Sequence, residues 1–90
     1  MYKASIKQIL MTILAKELLV KHIEIHAFDR FDADLFLSDD EFNRLLYFVE
    51  MNFNIDLSTQ DITLHDRMSD LVACIYQITV LDRQYALQSA

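Results

Sequence analysis

Apolar residues recur at spacings of three and four in three stretches of this chain. In residues 3–20 the positions are Ile6, Ile9, Leu10, Ile13, Leu14 and Leu18, one stripe on a helix. Lys7, Gln8, Lys16 and Glu17 fall mostly on other faces, and Ala4, Ala15 and Lys16 favour helix. Residues 21–37 lose the period. Ile23, Ile25 and Ala27 alternate briefly, but charge flanks them and no strand partner is in view. The stretch predicts a long loop pinned by Ile23, Ile25, Phe28, Phe31 and Leu35, with a short strand as the rival. Long loops inside compact domains are often functional.

The helical period returns at Ser38. Ser38 and Glu41 form S-x-x-E, a capping box in which each side chain satisfies a backbone N–H at the helix start. Asp39 and Asp40 lie where the helix dipole favours negative charge. Phe42, Leu45, Leu46, Val49 and Phe53 share one side, and Asn52 and Asn54 suit the helix end. Ile55 and Leu57 read as buried anchors. Residues 58–64 predict one short helical turn, with Ser58 and Asp61 as a weaker cap pair. Residues 67–81 predict a last helix with Met68, Leu71, Val72, Ile75, Ile78 and Leu81 facing inward, and the remaining residues are expected to fray. The sum is an all-α fold: a four-helix bundle of three long helices and a short third one, with a long loop after the first.

Composition sharpens this picture. The chain has no glycine and no proline, which disfavours tight hairpins and leaves Asn or Asp for positive φ. Its 90 residues form one domain, and 53% of them are apolar, enough for one compact core. A single cysteine excludes an internal disulfide. The apolar start is interrupted by Lys7, Gln8, Lys16 and Glu17, so neither a leader nor a membrane span is expected, and the expected location is cytoplasmic. With 14 acids against 8 bases the net charge is −6, which argues against nucleic acid and suits a partner with a basic patch.

The order of elements, and residues 34–75 in particular, resembles the acyl carrier protein family. Asp34-Leu35 matches the D-L that opens D-L-G-x-D-S-L-D in that family. Leu45, Leu46, Val49 and Phe53 match the apolar positions of its second helix. Ile55 and Leu57 match the turn that follows, and residues 67–72 with Ile75 match its fourth helix. The resemblance implies a carrier that docks to enzymes of acyl or thioester metabolism, such as fatty acid or polyketide synthesis. It implies a 4′-phosphopantetheine arm on a serine, and an acyl chain sheltered by residues such as Leu45, Leu46, Val49, Met68 and Ile75. In the gapless register Asp39 stands at that serine, Ser38 at the preceding aspartate, Asp40 at the leucine and Phe36 at the glycine. Sliding Ser38 into place would need an inserted residue and would turn the apolar stripe by about 100°.

Two readings therefore attach to Ser38: an off-register attachment point, or an N-cap, which the capping box and the register favour. Asp39 has no hydroxyl and cannot take the arm; it either imitates phosphate charge or, as favoured, is a dipole-compatible first-turn acid. Asp32, Asp34, Asp39, Asp40 and Glu41 form an acidic stretch. The resemblance implies that Asp40, Glu41, Phe42 and Arg44 meet basic patches on acyl-processing or carrier-modifying enzymes, although the family usually has an acid where Arg44 stands. A solvated acidic face is the plainer alternative. His22 and His26, with Glu24 between them, lack a third metal ligand at the right spacing and read as surface or loop histidines. Cys74 reads as a small buried thiol. Phe42, Tyr47, Phe48 and Phe53 read as core, with Phe42 and Phe48 partly open to a partner.

No converging acid, base and nucleophile are visible, so an enzyme is not expected. Three functions remain. The first is a carrier. The second is a degenerate carrier without prosthetic group that serves as an interaction module. The third is an unrelated helical subunit, which would be favoured if the second and last helices do not pack together.

Overall fold

The computed structural model describes residues 2–20 and 25–82. The order is α1 (Lys3–Lys16), α2 (Asp39–Phe53) and α3 (Met68–Tyr76), and α3 continues as a π-helical stretch, Gln77–Asp82. Among the described residues there are no strands; the one bridge is antiparallel and joins Arg30 to Arg67. The fold is all-helical, as the periodicity predicts, but with three helices. The expected short helix over residues 58–64 does not form. Asp56 takes the Ser58 N–H at 2.8 Å, and the Gln60 N–H reaches only to the Leu57 carbonyl, closing single turns that do not propagate.

One contiguous core takes Ile6, Leu10, Ile13 and Leu14 from α1, Phe42, Leu45, Val49 and Phe53 from α2, and Met68, Leu71, Val72 and Ile75 from α3. These are the positions at helical spacing, so burial follows the period. Ile9, Leu46 and Ile78 are only partly buried, and Leu81 is exposed. α1 packs directly on both α2 and α3, while the α2 and α3 backbones approach one another marginally at most. The first helix is therefore the one that joins the bundle.

The predicted first helix runs to residue 20, but α1 ends at Lys16. Arg44 of α2 donates from Nη2 to the Glu17 carbonyl at 3.1 Å, satisfying an acceptor that the helix end leaves free. The backbone then turns left-handed at Leu19, which lets Leu18 reach the core. At the other end of the chain, the Thr79 hydroxyl donates to the Ile75 carbonyl at 2.8 Å, and the Gln77 N–H is shared between the Ala73 and Cys74 carbonyls. Both draw on the carbonyls of the α ladder at the point where the winding widens.

The long segment before α2 is tied to the segment before α3. The Phe31 N–H donates to Asp66 and the Asp32 N–H to Leu64. In return the Met68 N–H donates to Asp29 and the Ser69 N–H to Ala27, all at 2.7 to 3.2 Å. Ile25, Phe31, Leu35 and Leu37 descend from this segment into the core, as expected for Ile25, Phe31 and Leu35. Phe28 does not: it is 77% exposed, because its neighbours Ala27 and Asp29 are held by α3 through their carbonyls. The expected anchor Ile23 lies outside the described residues.

Among the described residues three are left-handed: Leu19 at φ 54°, Phe36 at φ 57° and Asn54 at φ 54°. Each ends a helical turn. The next N–H reaches back past it: Val20 to Leu14, Leu37 to Phe31 and Ile55 to Glu50. Asn54 meets the expectation that Asn or Asp takes such positions; Leu19 and Phe36 do not. A side chain with a Cβ costs about 1–2 kcal/mol there. Leu19→Gly and Phe36→Gly are each expected to raise stability by up to about 1 kcal/mol, less whatever the freer unfolded chain takes back. Chemical denaturation measures it. Unchanged or lower midpoints in both variants would contradict the strain.

Candidate docking site at the start of α2

Ser38 is the N-cap of α2, extended at φ −80° and ψ 170°. Its Oγ accepts the Glu41 N–H at 3.2 Å, and Glu41 Oε1 accepts the Ser38 N–H at 3.0 Å. The predicted capping box is therefore formed in both directions. The bond from the Ser38 N–H, joined by its hydroxyl, pulls the Glu41 carboxyl below its usual range. Asp39 is the first helical residue, and Ser38 stands before it as the cap.

The acidic stretch divides into committed and open carboxylates. Asp32 accepts from Arg30 through Nε at 3.0 Å and Nη2 at 2.8 Å, and pairs with His65 Nδ1 at 2.6 Å. The His65 bond, and then Arg30 and the Ala33 N–H, hold its carboxyl far below the ordinary value. Asp34 accepts the Arg30 N–H at 2.8 Å. Asp39 and Asp40 are exposed, and neither carboxylate has a hydrogen bond or ion pair among the described residues. Within this stretch, the two carboxylates without a partner thus sit side by side on the first turn of α2.

Phe42 corrects an expectation. It is 5% exposed and stacks on the fully buried Phe31, with ring centroids 5.1 Å apart and planes at 49°. It holds the loop to α2 and offers no surface to a partner. Arg44 is exposed but committed to the end of α1. The apolar groups that do face outward here are Phe36 beside the cap, and Tyr47 and Met51, one turn apart on α2. Tyr47 was expected in the core; it instead meets Phe48 edge-on at 5.6 Å. Neither Phe36 nor Met51 is signalled by sequence, since an exposed apolar residue follows no period.

The residues expected to shelter an acyl chain lie in the core, with Leu45, Val49, Met68 and Ile75 fully buried and Leu46 partly so. Cys74 is half-buried, and burial pushes its thiol up, which disfavours the reactive thiolate. His22 and Glu24 lie outside the described residues. The His26 N–H donates to the Asp29 carboxylate at 2.8 Å, and among the described residues no three His, Cys, Asp or Glu side chains converge as a metal set. No described helix is long and apolar enough to cross a membrane. The Asp32 clasp went unforeseen because its partner His65 is 33 residues away, and no local pattern links the two.

No family model, no curated protein and no solved structure matches this chain.

Ser38→Ala is expected to cost about 1 kcal/mol through loss of the cap. Acid should destabilise the fold in a defined way. Asp32 and Glu41 titrate lower in the folded chain than their ordinary 3.8 and 4.5. Each therefore stabilises the fold above those values, and that contribution is lost as pH falls through the folded pKa. Urea midpoints measured from about pH 6 down to pH 2 should fall below about pH 4, less steeply in Asp32→Asn. Parallel curves for the parent and the variant would refute the clasp.

Proposed function

We propose that this protein is an interaction module that docks through the start of α2, and that it carries no phosphopantetheine arm. The observation that carries the reading is the division of labour in the first turn. Ser38 is bound as a cap in both directions, while Asp39, at the position aligned with the modified serine, has no hydroxyl to accept a phosphodiester. What remains open is a pair of carboxylates, Asp39 and Asp40, beside the outward Phe36. An exposed acidic turn steers a basic partner, and an apolar group next to it supplies the contact that holds it. The partners that fit are enzymes with basic patches, and the carrier resemblance points to acyl-processing or carrier-modifying ones. The module does no chemistry of its own, and a cytoplasmic location suits such partners.

The carrier resemblance gains support from Phe36. It is left-handed at the position where the family has glycine, the residue suited to that backbone. The marginal approach of α2 and α3 favours instead the second reading, a helical interaction subunit unrelated to carriers. An active carrier modified at Ser38 is the remaining alternative, since Ser38 is solvent-exposed.

Intact mass after incubation with coenzyme A and a broad-specificity phosphopantetheinyl transferase separates these. The parent is expected to gain nothing, and Asp39→Ser, which restores a hydroxyl at the aligned position, is expected to gain one arm. A gain in the parent that disappears in Ser38→Ala would overturn the arm-less reading. No gain in either the parent or Asp39→Ser would favour the unrelated subunit.

A further inference from the structure

A second surface lies away from α2. α1 and the start of α3 leave between them a cleft of about 250 Å³, lined by Lys3, Ala4 and Lys7 on one side, Met68, Ser69 and Val72 on the other, and Ala27 from the loop. Ala4 and Ala27 are small and leave the space between them unfilled. The lining is mainly apolar, with Met68 and Val72 buried behind it. Its polar side chains bring two ammonium groups and a hydroxyl, each able to donate. Among the described residues no acid lines it.

That composition is unusual for this molecule. In a chain of net charge −6, Lys3 and Lys7 stand one turn apart at the same opening. Arg30 is committed to Asp32 and Arg44 to the end of α1. Lys7 has no ion pair among the described residues, and Lys3 lies over the Tyr76 ring at 5.2 Å, a contact that leaves its charge uncompensated. The Ser69 hydroxyl likewise has no hydrogen bond among the described residues, its N–H being the group bound to Ala27. An apolar slot lined also by two lysines and a serine has the chemistry of a small-ligand site.

We propose that this cleft binds a single-chain carboxylate of medium length. The anionic head lies between Lys3, Lys7 and Ser69, and the alkyl chain lies along Ala4, Ala27, Met68 and Val72. Burial of the chain supplies most of the affinity. The lysines select the sign of the head group, because an alkylammonium of equal length would meet two like charges. The volume is at the small end for ligand sites, which excludes bulky or multi-chain lipids. This site is separate from the acidic turn of α2 and does not depend on the function proposed for that turn.

The test is a titration of the isotope-labelled protein with decanoate below its micelle concentration, followed by amide NMR. Saturable shifts are expected at Ala4, Lys7, Ala27, Ser69 and Val72. Lys3→Glu combined with Lys7→Glu should weaken binding by about tenfold. Ala4→Phe, which fills the slot from an exposed helix position, should abolish it, with circular dichroism confirming that both variants keep their helices. Three results would overturn the proposal. One is equal binding of decylammonium. Another is shifts confined to Leu45, Leu46 and Val49, which would place the chain in the interior of the bundle. The last is concentration-dependent shifts at the cleft without decanoate, which would assign it to a second copy of this chain.

Discussion

The backbone pairing between residues 27–32 and 64–69 is the constraint on which the rest of the structure depends. Two loops that form neither helix nor sheet exchange N–H and carbonyl groups, which pairs backbone that would otherwise need another partner. The pairing brings Phe31 to the core, where it meets Phe42 and so sets how the loop enters α2. It also sets the start of α3, whose first N–H groups donate into the same segment. Asp32 locks the arrangement from the side, drawing Arg30 and His65 to one carboxylate. With Asp32 bound in this way, the carboxylates of the acidic stretch that keep no partner among the described residues are Asp39 and Asp40.

The sequence made the helices legible because each buries one stripe. Leu10, Leu14, Leu45, Val49, Leu71 and Ile75 could be placed in the core from spacing alone, and Ser38 and Glu41 disclosed the start of α2. What could not be read was set by distant partners. Arg44 ends α1 from 27 residues away, and no window along the chain contains both groups. The same holds for Asp32 and His65. Residues 58–64 carry cap-like letters, but the local Asp56 and Ser58 bond closes a turn instead of nucleating a helix. Phe42 was read as core, but that it is wholly closed to a partner could not be seen, because its partner Phe31 lies in the loop, whose path depends on the backbone pairing. Leu19 and Phe36 could not be foreseen as left-handed, since propensity points to Asn or Asp there.

The absence of glycine has a structural consequence that bears on function. Helical turns here end on Leu19 and Phe36, both largely exposed and both costly in that backbone. Glycine would relieve the strain and remove the exposed apolar group together. At Phe36 these two costs fall beside the open carboxylates of α2, which is where a partner steered by charge would arrive. The fold thus places an exposed apolar side chain and two open carboxylates at one end of one helix, while Ser38 caps the helix itself. The lysine-rimmed cleft between α1 and α3 has the opposite sign and a different lining, so the molecule offers two surfaces of unlike chemistry.

The central claim is that α2 begins at Asp39 with Ser38 as its cap, the register on which the proposed arm-less reading rests. Solution NMR tests it most directly, through backbone carbon shifts and amide exchange across residues 36–42. The account predicts extended shifts at Ser38, helical shifts from Asp39 onward, and a Glu41 amide that is protected in the parent and exchanges freely in Ser38→Ala. Helical shifts already at Ser38, or a Glu41 amide indifferent to that substitution, would contradict it.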